Sequence, residues 1–189
     1  AFLIMRKQIK WQLIVSFALI LVSDRLYRFW PVEGFNQAFV AGQNFGSWTD
    51  MMLTGSLDHG NWVPFNAIPT SAHTIWGVIV GMVLMKDWTP RKKIMTLLIT
   101  GIIGVIVGYA MNPFIPIIKH ICTSSFIIVS GGWCLIGMAL SYWLIDVLNF
   151  RKVPMFFAVF GMNPVFIYLM ASGFRNFFRS LVNPYISRI

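Results

Sequence analysis

Acidic residues are scarce in this sequence, and charge of any kind is thin. Six Asp and Glu stand against fifteen Lys and Arg, and charged residues make up 11% of the 189. Soluble domains carry about 25% charged residues. A soluble globular domain, a disordered tail and a nucleic-acid-binding module are therefore excluded. Cysteine is nearly absent too. Cys122 and Cys134 lie 12 residues apart in one expected helix, about 18 Å at the usual rise, too far to pair with each other. There is no Cys/His cluster at metal-ligand spacing, so no metal is expected. The Ser-x-x-Lys, Gly-x-Ser-x-Gly and His-Glu-x-x-His signatures are also missing. An enzyme built on this chain would draw part of its active site from elsewhere.

Apolar residues fill the gap: 57% of the chain is hydrophobic and 16% aromatic, with a mean hydropathy of +0.71. Uncharged apolar runs cover 68–85, 94–111, 121–145 and 153–174. Each is long enough for a membrane-spanning helix. The run 11–23 is short. It becomes a span over 7–30 if Asp24, Arg25 and Arg28 sit at its outer end, with Asp24 pairing Arg28 one turn on. The expected fold is therefore all-α, a polytopic membrane helical bundle of about five transmembrane helices. A loop at 31–67 and an amphipathic tail at 175–189 complete it. The first residues are apolar, with no charged segment and cleavage site ahead of them as in a signal peptide. The expectation is one membrane domain that is a piece of a longer protein.

The basic residues explain the net charge of +9. Residues 1–10, 86–93 and 148–152 hold +8 of it, while 31–67 has no Lys or Arg. The positive-inside rule then puts the N-terminus and the loops 86–93 and 148–152 in the cytoplasm. The charge records topology, and the partner it implies is the lipid bilayer and no nucleic acid. A homo-oligomer is left open.

Polar groups inside apolar spans are costly and are functional candidates. Asn66, Thr70 and His73 sit at the start of the second span. His73 would relay a proton or hold a substrate hydroxyl, or else bond a neighbouring carbonyl. Thr70, His73, Gly77 and Gly81 share one face, so Gly77-xxx-Gly81 is expected to bring helices together, as is Gly104-xxx-Gly108. Lys119 and His120 close a Pro-rich outer loop and either attract an anionic group or snorkel. Thr123, Ser124 and Ser125 begin the next long span, as caps or as an anion site. Asn163 precedes Pro164 mid-span, where a kink and a buried amide line a cavity or join helices. Asp50, Asp58 and His59 lie in a long loop with Trp48 and Trp62, residues suited to stacking on sugars.

The order of motifs resembles one family. The runs are Trp30-Pro31-Val32-Glu33-Gly34-Phe35, then Asn44 and Asp50, then Ile68-Pro69-Thr70 leading into Gly77-xxx-Gly81. After them come Phe114-Ile115-Pro116-Ile117-Ile118-Lys119, Thr123-Ser124-Ser125-Phe126, and Phe160-Gly161-Met162-Asn163 with Ile167-Tyr168. Over most of 26–173 the chain resembles the C-terminal half of the heparan-α-glucosaminide N-acetyltransferase family, which includes bacterial inner-membrane relatives associated with N-acetylglucosamine. One departure is Cys122, where that family usually has Trp. The resemblance implies a membrane acyltransferase moving acetyl from acetyl-CoA to an amino sugar. It implies a catalytic histidine in an N-terminal half, so that role passes to none of His59, His73 or His120. An N-acetylglucosamine permease and a purely structural membrane subunit are the competing readings.

Overall fold

The structure is a computed structural model. It describes residues 4, 7–30, 32–57, 60, 62–150, 162, 168–171, 173, 174 and 177. The chain divides into two compact units, Ala1–Tyr142 and Trp143–Ile189. The second begins with a π-helical turn, Trp143–Val147. The expected span 153–174 lies mostly outside the described residues, as do Asn163 and nearly all of the tail.

Among its described residues the first unit holds five α-helices, α1 (Ile9–Phe29), α2 (Phe45–Thr54), α3 (Ala67–Leu84), α4 (Pro90–Met111) and α5 (Ser124–Tyr142), with a 3-10 turn at Pro64–Asn66 leading into α3. Among the described residues there is no strand. Among the described residues, three helical stretches are long and apolar enough to cross a membrane: Pro64–Leu84, Pro90–Met111 and Ser124–Val147. The helix α1 is 21 residues long. Every 18-residue stretch of it holds three charges drawn from Lys10, Asp24, Arg25 and Arg28. Asp24 and Arg28 do form the expected pair at 3.2 Å. The loop 31–67 contains a helix the apolar runs did not signal. Asn44 starts α2 by accepting from the Ser47 amide at 3.0 Å, a standard N-cap bond. Gly55 ends it at φ 74°, a conformation that glycine adopts without strain.

Many large apolar side chains are exposed, and several polar ones are buried beside the hydrophobic core clusters. The buried residues of α1 are Gln12, Ser16, Ile20, Ser23 and Tyr27, while Ile14, Phe17, Leu21 and Val22 are exposed. A water-soluble helix would do the reverse. A lipid-facing helix can leave apolar residues outside and bond its hydroxyls within. Ser16 and Ser23 donate to the carbonyls of Leu13 and Leu19.

Pairing is antiparallel between α1 and α3. Gln12 meets Met82, Ser16 meets Trp76, Ile20 packs with Ala72, and Tyr27 meets Asn66. The helices α4 and α5 pack closely through glycine on both sides. A Cβ added at Gly132 would stand 2.7 Å from the Gly101 carbonyl oxygen, and one at Gly104 would stand 3.3 Å from the Gly132 Cα. The expectation for Gly104-xxx-Gly108 thus holds. The one for Gly77-xxx-Gly81 does not: neither glycine has an atom within 4 Å of an added Cβ. The packed face of α3 is set by Pro69, Ala72, Ile75, Val80 and Val83, which turns the two glycines away.

Candidate functional site

The helices α3 and α5 run parallel, and this aligns residues more than fifty positions apart in sequence. Asn66 donates to the His120 carbonyl at 2.7 Å. Thr70 donates to the Cys122 sulfur at 3.6 Å. His73 lies 3.0 Å from the Ile127 carbonyl and 3.1 Å from the Ser130 hydroxyl. One end of the bundle therefore gathers Asn66, Thr70, His73, Lys119, His120, Thr123, Ser124 and Ser125. Of the other sequence candidates, Asp50 lies in α2, and Asp58, His59 and Asn163 lie outside the described residues.

Each residue can be read for what holds it. Asn66 is buried and also accepts from the Tyr27 hydroxyl at 3.3 Å, so it ties α1, α3 and the 112–123 loop together. Thr123 and Ser125 are buried and both donate to the Pro116 carbonyl, at 2.8 and 3.2 Å. Thr123 also accepts from the Ile118 amide at 3.1 Å. These hydroxyls fasten the Pro-rich loop across the start of α5. Ser124 is buried beside them. Cys122, just ahead of α5, has φ 52°, a left-handed conformation uncommon for a side-chain-bearing residue. Burial pushes its thiol pKa up, against smaller lowering effects from the Thr70 hydrogen bond and the Lys119 charge.

His73 is joined to a network the sequence did not reveal. The Ile127 carbonyl can only accept, so in that contact the Nε2–H of His73 donates. The Ser130 hydroxyl in turn donates to the Phe126 carbonyl at 2.7 Å. Trp76 stands edge-on to His73, with centroids 5.6 Å apart, and its indole N–H donates to Ser16 at 2.9 Å. Gly131 makes room, because a Cβ there would lie 2.5 Å from the Trp76 ring. Trp76 is an indole in the middle of an apolar run, and its need for an acceptor was the available signal. Ser130 is one of several serines in its span and carried none.

At the surface of this end, Trp62 carries both basic side chains of the loop. Lys119 lies 5.5 Å from the Trp62 ring centroid, and the His120 ring lies 4.7 Å from it. All three residues are exposed. An aromatic face beside a lysine and an imidazole is chemistry suited to a sugar ring or an anionic group. Asp50, from the other side of the loop, is buried and accepts from Thr54.

The opposite end is basic. Lys86 and Lys92 both pack on Trp88, at 4.5 and 4.4 Å. Lys93 donates to the Leu84 carbonyl at 2.7 Å, satisfying a carbonyl at the end of α3. Between the two ends, α1, α3, α4 and α5 line a half-open groove of about 330 Å³ with an almost wholly apolar wall. No protein-family model, curated protein or solved structure matches this chain.

Proposed function

We propose that this chain forms part of a multi-pass membrane acyltransferase, one that moves acetyl from acetyl-CoA to the amino group of a glucosamine-type sugar. The observation that carries this reading is the pair of chemically distinct ends. One gathers the candidates from α3 and 119–125 around Trp62; the other presents Lys86, Arg91, Lys92 and Lys93. Two substrates of different chemistry need two such places. The CoA phosphates meet the basic end on the cytoplasmic side of a bacterial inner membrane, in keeping with the positive-inside rule. The sugar meets Trp62, Lys119 and His120 on the outer side, with Thr70 and His73 behind them. In the net reaction the acetyl group leaves the CoA sulfur and ends on the sugar nitrogen. The C–N bond forms, the C–S bond breaks, and the amine proton leaves with the displaced thiolate. The resemblance to the acetyltransferase family supplies the reaction type and puts its histidine outside these residues.

A permease reading is disfavoured by the groove wall. Thr96 and Thr100 donate to the Lys92 and Thr96 carbonyls, and Trp76 donates to Ser16. A sugar crossing there would find few free partners for its hydroxyls.

The test is reconstitution of the full-length protein, with its histidine-bearing half, into liposomes with radiolabelled acetyl-CoA and glucosamine. Label on the sugar, reduced by His73→Ala or Asn66→Ala, supports the proposal. Uptake of labelled N-acetylglucosamine without acetyl-CoA, and no labelled product, overturns it.

A further inference from the structure

The apolar groove has a length, a placement and a wall chemistry that together describe an occupant. Along α4 its wall runs from Thr96 to Val107, about 16 Å at 1.5 Å per residue. That is about half of a roughly 30 Å hydrocarbon core, the depth of one leaflet. Its Val83 and Thr96 end lies toward the basic segment 86–93, where Lys86, Arg91 and Lys92 are exposed and Lys86 and Lys92 pack on Trp88. The opposite end stops against Trp76 and Ile128. The wall's hydroxyls and indole N–H are already bonded within the protein, so the wall asks for an apolar occupant.

We propose that this groove binds one acyl chain of an anionic phospholipid from the leaflet at the basic end, with the lipid phosphate held by Lys86, Arg91 and Lys92. A tail of leaflet depth fills the groove. The three cations supply the charge complementarity that basic pockets between membrane helices use for anionic headgroups. Trp88 lies between Lys86 and Lys92, at the headgroup level where tryptophan anchors membrane proteins. The inference needs the bilayer but not the acyl-transfer reaction. The same cations are the expected contact for CoA phosphates, so lipid binding is read with no acetyl-CoA present.

The experiment is native mass spectrometry of the purified protein in mild detergent, loaded from vesicles of phosphatidylglycerol or phosphatidylcholine. The expected result is one retained phosphatidylglycerol, preferred over phosphatidylcholine by about tenfold or more for three cations. Thr100→Trp, which fills the groove, abolishes retention of either lipid. The triple variant Lys86→Gln, Arg91→Gln, Lys92→Gln keeps a lipid but loses the preference. Ile99→Trp, outside the groove, retains lipid as the unaltered protein does. Helix content by circular dichroism verifies folding, and Val107→Trp replaces Thr100→Trp if the latter does not fold. Equal retention of the two lipids by the unaltered protein, or unchanged retention in a folded groove-filled variant, overturns the proposal. So does a dimer that the groove-filling variant dissociates, since a second copy would then occupy the groove.

Discussion

Trp76, Ser16 and His73 show how an apolar bundle uses the polar groups it keeps inside. Trp76→Phe removes the N–H that Ser16 accepts together with part of the ring system that packs against Gly131. We expect a loss of at least about 1 kcal/mol of stability, the net worth of one such hydrogen bond, with the lost packing added to it. Ser16→Ala should cost the hydrogen bond alone, and the double variant little more than Trp76→Phe, as read by thermal unfolding in nanodiscs. Fully additive losses would show that the two side chains act separately. Cys122 offers a pH test in a Cys134→Ala background. Its raised pKa leaves less thiolate at neutral pH than an ordinary thiol has, and the thiolate is the form that reacts. Alkylation should therefore be slow at pH 7 and rise with a midpoint above that of a free thiol. Lys119→Gln removes a lowering influence and moves the midpoint higher still. A midpoint at or below the free-thiol value would contradict the burial that causes the shift. On the sugar side, Trp62→Ala should raise the KM for the amino sugar about tenfold, the effect of losing one stacking contact of roughly 1–1.5 kcal/mol. An unchanged KM would remove Trp62 from the acceptor site.

At the scale of the helix, close approach depends on which face a small residue presents. Gly132→Ala places a methyl against the backbone of Gly101 and Val105, so α4 and α5 must separate. A loss of about 1–3 kcal/mol is expected. Gly77→Ala meets open space, and the helix gains from losing a glycine, by up to about 1 kcal/mol. Unfolding of the two variants under the same conditions checks the opposite signs. The sequence motif is the same at Gly77-xxx-Gly81 and Gly104-xxx-Gly108, and the motif does not say which face a helix packs. That choice came from Ala72, Ile75, Val80 and Val83, a tertiary fact. The long apolar helices were legible because hydropathy over 18 or more residues outweighs local detail. The ten residues of α2 were not, because a short capped helix inside a polar loop has no such run. Its signals, Asn44 at the start and Gly55 at the end, are also common in loops.

For the whole molecule, the readable property was its apolar surface. Low charge and long apolar runs announced helices compatible with a bilayer, and among the described residues Ile14, Leu21, Met95 and Ile106 are exposed accordingly. The gathering of Asn66, Thr70 and His73 with 119–125 was half legible. Alternating spans put them at one end, but the register that joins His73 to Ser130 rests on contacts 57 residues apart in sequence. The two ends then give the account its central claim, that donor and acceptor are handled on opposite faces of the bilayer. The direct measurement is acetyl transfer by the full-length protein in sealed proteoliposomes of known orientation, with labelled acetyl-CoA on one side and glucosamine on the other. Labelled product should form when acetyl-CoA faces Lys86–Lys93 and the sugar faces Trp62, and should vanish when the two are exchanged. Transfer that proceeds equally with both substrates on one face, or in either orientation, would contradict it.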